Sequence, residues 1–193
     1  KIQVATIDIE TESENGFPQV DHPIERVNAI TLKNHQTKKF VVFGLHEWNT
    51  DRDDITYIRC NTEDELLQRF IGFWSSNYPD VVTGWNSRFF DIPYLVNRIK
   101  VRLGEDESKK LSPWNSVFDA DVFRMGRKHT AFDLVGISQL DYLELYQKYT
   151  YTAQESYRLD HIGFVELGKA KNTNPYETFR EWYQKDYQSF IDY

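Results

Sequence analysis

Apolar and polar positions along the chain fall into short alternating runs and helical stripes. Residues 1–9 (KIQVATIDI) are apolar apart from Lys1, Gln3, Thr6 and Asp8, which predicts a strand covered on both faces. Residues 11–23 (TESENGFPQVDHP) are polar with Gly and Pro and read as a loop. Strands are predicted at 26–32, 39–45 and 56–60, the first two joined by a turn through KNHQTK. Thr62 with Glu65 three residues on is a capping-box pattern, after which Leu66, Leu67, Phe70, Ile71 and Trp74 recur at helical spacing. A short buried strand, DVVTGW at 80–85, leads through a connection at 86–90 to a second helix. That helix has Pro93 in its first turn and Gly104 at its end.

Residues 105–115 are charged and polar and predict no element. Residues 118–135 read as a β-hairpin tipped by Met125-Gly126-Arg127-Lys128, an insertion of about 116–136. Helices are predicted at 137–149, 159–167 and, longest, 176–193. Strands first and mixed elements afterwards indicate an α/β layered fold.

At 193 residues the chain suits one domain, and 40% hydrophobic content suits a folded one. Aromatic content of 16% is high; such rings serve either a core or stacking on unpaired bases. A net charge of −7 argues against a surface that grips duplex DNA all over. It leaves room for a nuclease whose carboxylates await cations. The single cysteine, Cys60, excludes a disulfide framework, disfavours a thiolate metal site and suits a reducing, intracellular setting. No apolar run reaches membrane-spanning length. A strand pattern starts almost at Lys1 and Tyr193 falls inside a helical pattern, so the chain reads as a piece of a longer one.

The candidate chemistry lies in carboxylates. Asp8 and Glu10 flank Ile9 on a strand, so their side chains share one face. Side by side they repel each other, unless a hard divalent cation compensates them or both lie past the strand end in water. Asp91 follows Asn86-Ser87-Arg88-Phe89-Phe90 and opens a helix. It reads either as an ordinary N-cap or as a third acid near the strand ends. Two-metal phosphodiester hydrolysis needs several carboxylates and is usually built from acids near the strand ends of one sheet, and Asp8, deeper in the strand, suits the shared ligand.

These residues carry a resemblance. Asp8-Ile9-Glu10 with Thr11 resembles the first motif of DEDD-type exonucleases, and Asn86-x-x-x-Phe90-Asp91 resembles the second. The stretch VVTGWNSRFFDIPYLVNRIK is similar to the proofreading domain of family B DNA polymerases, closest to those of large tailed phages. ISQLDYLELYQKY and YRLDHIGFVELGKAK extend the similarity over nearly the whole chain. The resemblance implies a ribonuclease H-like fold, a 3′→5′ exonuclease acting on single-stranded DNA or a frayed primer 3′ end, and two Mg²⁺ or Mn²⁺ ions. Asp8, Glu10 and Asp91 would be metal ligands, and Thr11, Asn86 and Phe90 would hold the terminal nucleotides. Tyr193, in SFIDY, matches the tyrosine of the family's Tyr-x-x-x-Asp motif and would orient the attacking water.

That motif's aspartate would fall four residues after Tyr193, where the sequence has stopped. The piece is therefore expected to hold one ion or none and to be weakly active or inactive. A single-stranded DNA-binding module on the same fold is the alternative. His161 with Glu166 mimics the His-x-x-x-x-Asp motif of a sister subtype, but on an earlier helix and with Glu in place of Asp. Arg124, Arg127 and Lys128 on the hairpin are either phosphate contacts or a solvated tip. Arg98, Lys100, Arg102, Lys109 and Lys110 read as a solvated basic face. Partners implied are the primer end and the rest of the polymerase. The setting implied is a monomer in the cytoplasm, the host's if phage-encoded.

Overall fold

A computed structural model describes residues 1–12, 16–124, 126–169 and 174–193. The chain order is β1 (Val4–Thr11), β2 (Val27–Asn34), β3 (Phe40–Gly44), β4 (Ile55–Arg59), α1 (Glu63–Ser76), β5 (Val81–Thr83), α2 (Asp91–Leu103) and α3 (Glu105–Lys109). It continues with β6 (Val117–Arg124), β7 (Arg127–Leu134), β8 (Ser138–Gln139), α4 (Tyr142–Tyr149), α5 (Leu159–Leu167), α6 (Phe179–Lys185) and α7 (Tyr187–Asp192). Six strands form one mixed sheet in the order β4-β3-β2-β1-β5-β8. β1, β2 and β3 run antiparallel in turn, whereas β5 joins β1, and β8 joins β5, in parallel. The antiparallel pair β6–β7 forms a separate ribbon.

The core lies on one face of the sheet. Ile7, Ile30 and Phe43 meet Leu66, Leu67 and Phe70 of α1 and Leu95, Val96 and Ile99 of α2. α1 starts as its sequence demands: the Thr62 hydroxyl accepts from Glu65 N, while Glu65 Oε2 reaches back to Asn61 N rather than to Thr62. β1 is not covered on both faces as its composition suggested. Ile7 and Ile9 are 1% and 5% exposed, but Asp8 is open to solvent. Both helices that pack on β1–β3 lie on the other side. A cleft of ≈ 560 Å³ therefore runs past Asp8 to Trp85, Tyr142 and Leu159.

Three predicted elements differ. Residues 105–115 contain the short helix α3, whose acidic first turn and Lys109 complement the helix dipole. The predicted helix 137–149 begins as strand, because Ser138 and Gln139 pair with Val81 and Val82. The helix itself starts only after Asp141 caps it. The predicted helix 176–193 is two helices. Asp186 leaves helical geometry at φ −148° and its carboxylate accepts from Ser189 N, restarting the chain as α7.

The supposed basic face is largely paired. Arg98 is buried against Glu63, Arg102 pairs with Asp64 at 2.8 Å, and Lys110 pairs with Glu107. Lys100 stands over the Phe132 ring. Cys60 is buried just beyond β4 rather than within it, and burial pushes its thiol up to about 11.

Candidate active site

β1 and the turn into α2 build the site together. Gly84 follows β5 and lies against β1, where a β-carbon would meet Ile7 O at 2.6 Å and Ser87 Cβ at 2.8 Å. That close approach brings the 86–91 turn onto β1. Asn86 occupies the left-handed region at φ 63°, which asparagine tolerates better than most residues, and its carbonyl accepts from Phe89 N and Phe90 N. Asp91 follows, and its Oδ1 accepts from Ile9 N at 3.0 Å. Asp91 is thus no N-cap: Phe90 holds the cap position, without a side-chain bond, and the Asp91 carboxylate reaches β1 instead.

This one bond puts the Asp91 carboxylate at the peptide that joins Asp8 to Ile9. Asp91 is 3% exposed. Burial, then the charges of Asp8 and Glu10, raise its carboxyl well above the usual range, against the lowering pull of the Ile9 amide and its own. The donor set is all-oxygen and anionic, which suits a hard dication. Among the described residues no three His, Cys, Asp or Glu are gathered closely enough to hold a metal ion. The acids fit such an ion in kind but are not gathered around one point, since Asp91 faces a backbone amide.

Aromatic rings wall the adjoining space. A cleft of ≈ 360 Å³ is bounded by Glu10, Thr11, Phe17, Phe90 and Phe179. A second, of ≈ 490 Å³, continues past Asn86, Phe89 and His129. Phe17 and Phe90 lie 5.1 Å apart, and Phe17 is 79% exposed. The exposed Phe17 ring, resting on the half-buried Phe90, suits stacking of a base or sugar on its open face.

Asp141 holds the arrangement from behind. Its buried carboxylate accepts from Asn86 N at 3.1 Å, Arg88 N at 3.0 Å and Leu143 N at 2.9 Å, so it fixes the turn and caps α4 at once. Asp141→Ala is expected to cost about 2 kcal/mol in urea unfolding, since it strands several amides and removes a cap. A loss below about 0.5 kcal/mol would show that water replaces the carboxylate.

A family model, "DNA polymerase family B, exonuclease domain", matches residues 1–162. The chain belongs to this exonuclease-domain family. It is 36% identical to the DNA-directed DNA polymerase of Escherichia phage RB69 over 220 residues, covering 100% of this chain and 24% of the relative. It is 28% identical to that of Enterobacteria phage T4, covering 100% of this chain and 24% of the relative. With the DNA polymerase delta catalytic subunit of Candida albicans it shares 26% identity, over 88% of this chain and 17% of the relative. The chain thus spans about a quarter of the length of its phage relatives. The mixed sheet and flanking helices of this exonuclease domain form a ribonuclease H-like fold.

The other expected site residues fall at different distances from the acids. Thr11 and Phe90 line the cleft beside Glu10. Tyr193 stands one ring behind the cleft wall, 5.7 Å from Phe179 and 5.0 Å from Trp182. Lys128 pairs with Asp121 at 2.8 Å on the hairpin. Met125 and the side chains of Arg124 and Arg127 lie outside the described residues. Glu166 accepts from the Tyr146 hydroxyl, and His161 lies on α5. Among the described residues of the exonuclease domain, no helix is long and apolar enough to cross a membrane.

Proposed function

We propose that the domain trims the 3′ end of single-stranded or frayed primer DNA, releasing deoxynucleoside monophosphates as the editing step of a DNA-directed DNA polymerase. The observation that carries this reading is the bond from Ile9 N to the buried Asp91 carboxylate, which brings that acid to the strand residue between Asp8 and Glu10, with Glu10 on the wall of an aromatic cleft. The three carboxylates would hold Mg²⁺ or Mn²⁺. Such ions, when bound, supply an activated hydroxide and charge compensation at the leaving oxygen.

The chain's own residues bind and orient. Phe17, backed by Phe90, flanks the terminal base, while Thr11 and Asn86 offer polar contacts to the last sugars. Tyr193 orients the attacking water once Phe179 and its neighbours are seated. Net charge of −7 keeps duplex DNA off most of the surface and favours a flexible single strand that reaches the cleft by its end.

The test is release of label. A polymerase carrying this domain, given 3′-labelled single-stranded DNA and Mg²⁺, should yield labelled mononucleotide, and EDTA should stop it. Labelled oligonucleotides, or trimming that persists in EDTA, would sink the reading. Binding of the strand without any release would point instead to a non-catalytic single-stranded DNA module.

A further inference from the structure

The helices α6 and α7 form a unit with a core of its own. Trp182, Tyr183 and Phe190 are buried together, with Phe179, Tyr187 and Tyr193 packed around them, apart from the main core. What joins this unit to the sheet is mostly polar. Tyr187 Oη accepts from Leu45 N at 2.9 Å and lies 2.9 Å from Tyr57 Oη. Tyr57 donates to His46 O, and Tyr183 Oη meets His46 Nε2 at 2.8 Å. Trp48 Nε1 donates to Asp192, and Gln188 exchanges two hydrogen bonds with the Asn49 backbone.

The seat is shaped for these hydroxyls. A β-carbon added at Gly44 would collide with both Tyr57 Oη and Tyr187 Oη. Gly44 pairs with Ala29, and Ala29 with Glu10, so the seat lies at the same end of the sheet as the acids. Arg26 closes the connection: it pairs with Glu12 at 2.5 Å and lies 5.5 Å over the Tyr183 ring. The unit in turn presents Phe179 to the cleft of Glu10 and Thr11, with Tyr193 packed on Phe179.

We propose that Tyr187, seated over Gly44 with Tyr57, is a positioning residue for the trimming reaction: it fixes where α6–α7 places Phe179 and Tyr193 against the carboxylates. This rests on the trimming activity proposed above. Tyr187 touches neither substrate nor the acids in this role. A hydrogen-bonded seat holds position sharply, yet it buries little apolar area and adds little to global stability. A misplacement of about 1 Å at a reacting group costs on the order of 10²-fold in rate.

The experiment uses the polymerase that carries the domain, with single-turnover trimming of single-stranded DNA as the readout. Tyr187→Phe, which keeps the ring and loses both hydrogen bonds, should slow the trimming step by about tenfold. Gly44→Ala, which evicts the hydroxyls, should slow it by about ten- to a hundredfold. In both, DNA affinity should stay within about twofold, and polymerisation should be unchanged. Amide exchange at residues 187–192 should quicken while that of α1 does not. The combination Gly44→Ala with Tyr57→Phe and Tyr187→Phe removes the two colliding oxygens and leaves the 2.9 Å approach to the Tyr57 ring carbon, so it should trim at a rate between that of the two phenylalanine substitutions alone and that of Gly44→Ala.

Parental trimming rates in Tyr187→Phe and Gly44→Ala would overturn the positioning role. So would equal losses in trimming, polymerisation and melting temperature, which mark a general packing element. Asp8→Ala run alongside keeps the two claims separate. If it abolishes trimming while the seat variants are unaffected, only the positioning role fails; if it trims normally, the trimming site itself is wrong.

Discussion

Asp91→Asn is expected to stabilise the metal-free protein while lowering trimming on the order of 10²–10³-fold, as loss of one group acting at the reacting oxygens does. The two effects share one cause. Asp91 is buried, its carboxylate accepts from the Ile9 amide, and the charges of Asp8 and Glu10 act on it. Asparagine keeps an oxygen for that amide and removes the charge. Because the folded-state pKa of Asp91 lies above the unfolded value, the folded chain holds its proton more tightly. Its contribution is therefore most favourable below the unfolded carboxylate pKa of about 4, and stability falls as pH rises from there through the folded value. Above that value the penalty is constant, and at pH 8 the asparagine variant should lead by about 0.5–2 kcal/mol. Urea unfolding in EDTA at pH 4 and pH 8 measures the difference. It should be small at pH 4 and larger at pH 8. A variant less stable than the parent at pH 8 would mean that Asp91 is compensated in the metal-free state by groups other than the Ile9 amide.

Most of the architecture was legible because period and punctuation agreed. The stripe from Leu66 to Trp74, the cap at Thr62 and the paired runs around 33–38 all specify one local answer, and the chain adopts it. The shared face of Asp8 and Glu10 was legible too, since both alternate with the buried Ile7 and Ile9 in β1. What stayed hidden depends on partners distant in sequence. Nothing local reveals that Asp91 bonds to Ile9 rather than capping α2, or that Asp141 fastens the 86–88 turn as well as starting α4. Phe17 sits in a loop that is otherwise polar, and a large exposed ring there was an available signal that secondary-structure pattern does not weigh. The break at Asp186 was missed because the apolar stripe runs through it; aspartate's preference for caps over helix interiors was the contrary sign.

Arg98→Met should be the most destabilising single change among the pairs described, by about 3–5 kcal/mol. The side chain sits mid-helix among charged neighbours, so its sequence context looks solvated. In the fold it is 7% exposed and donates to both Glu63 oxygens, at 2.7 and 2.6 Å. It also donates to the carbonyls of Pro23 and Ile24. Glu63, itself 6% exposed, accepts in addition from Val27 N at the start of β2. One fork thus joins α1, α2, β2 and the segment that follows Phe17. Methionine fills much of the volume but leaves the Glu63 carboxylate buried beside one amide, with only Arg102 at 3.7 Å to compensate it. Adding Glu63→Gln should recover part of the loss, because the uncompensated charge goes with it. In a double-mutant cycle the pair should therefore cost less than the sum of the two single changes. A loss below about 1 kcal/mol, or strict additivity, would show that water enters and solvates Glu63. Trimming should fall along with stability and with weaker DNA affinity. The Pro23 and Ile24 carbonyls anchor the segment that carries the Phe17 wall of the cleft. This separates Arg98 from Tyr187, whose loss is expected to act on the rate alone.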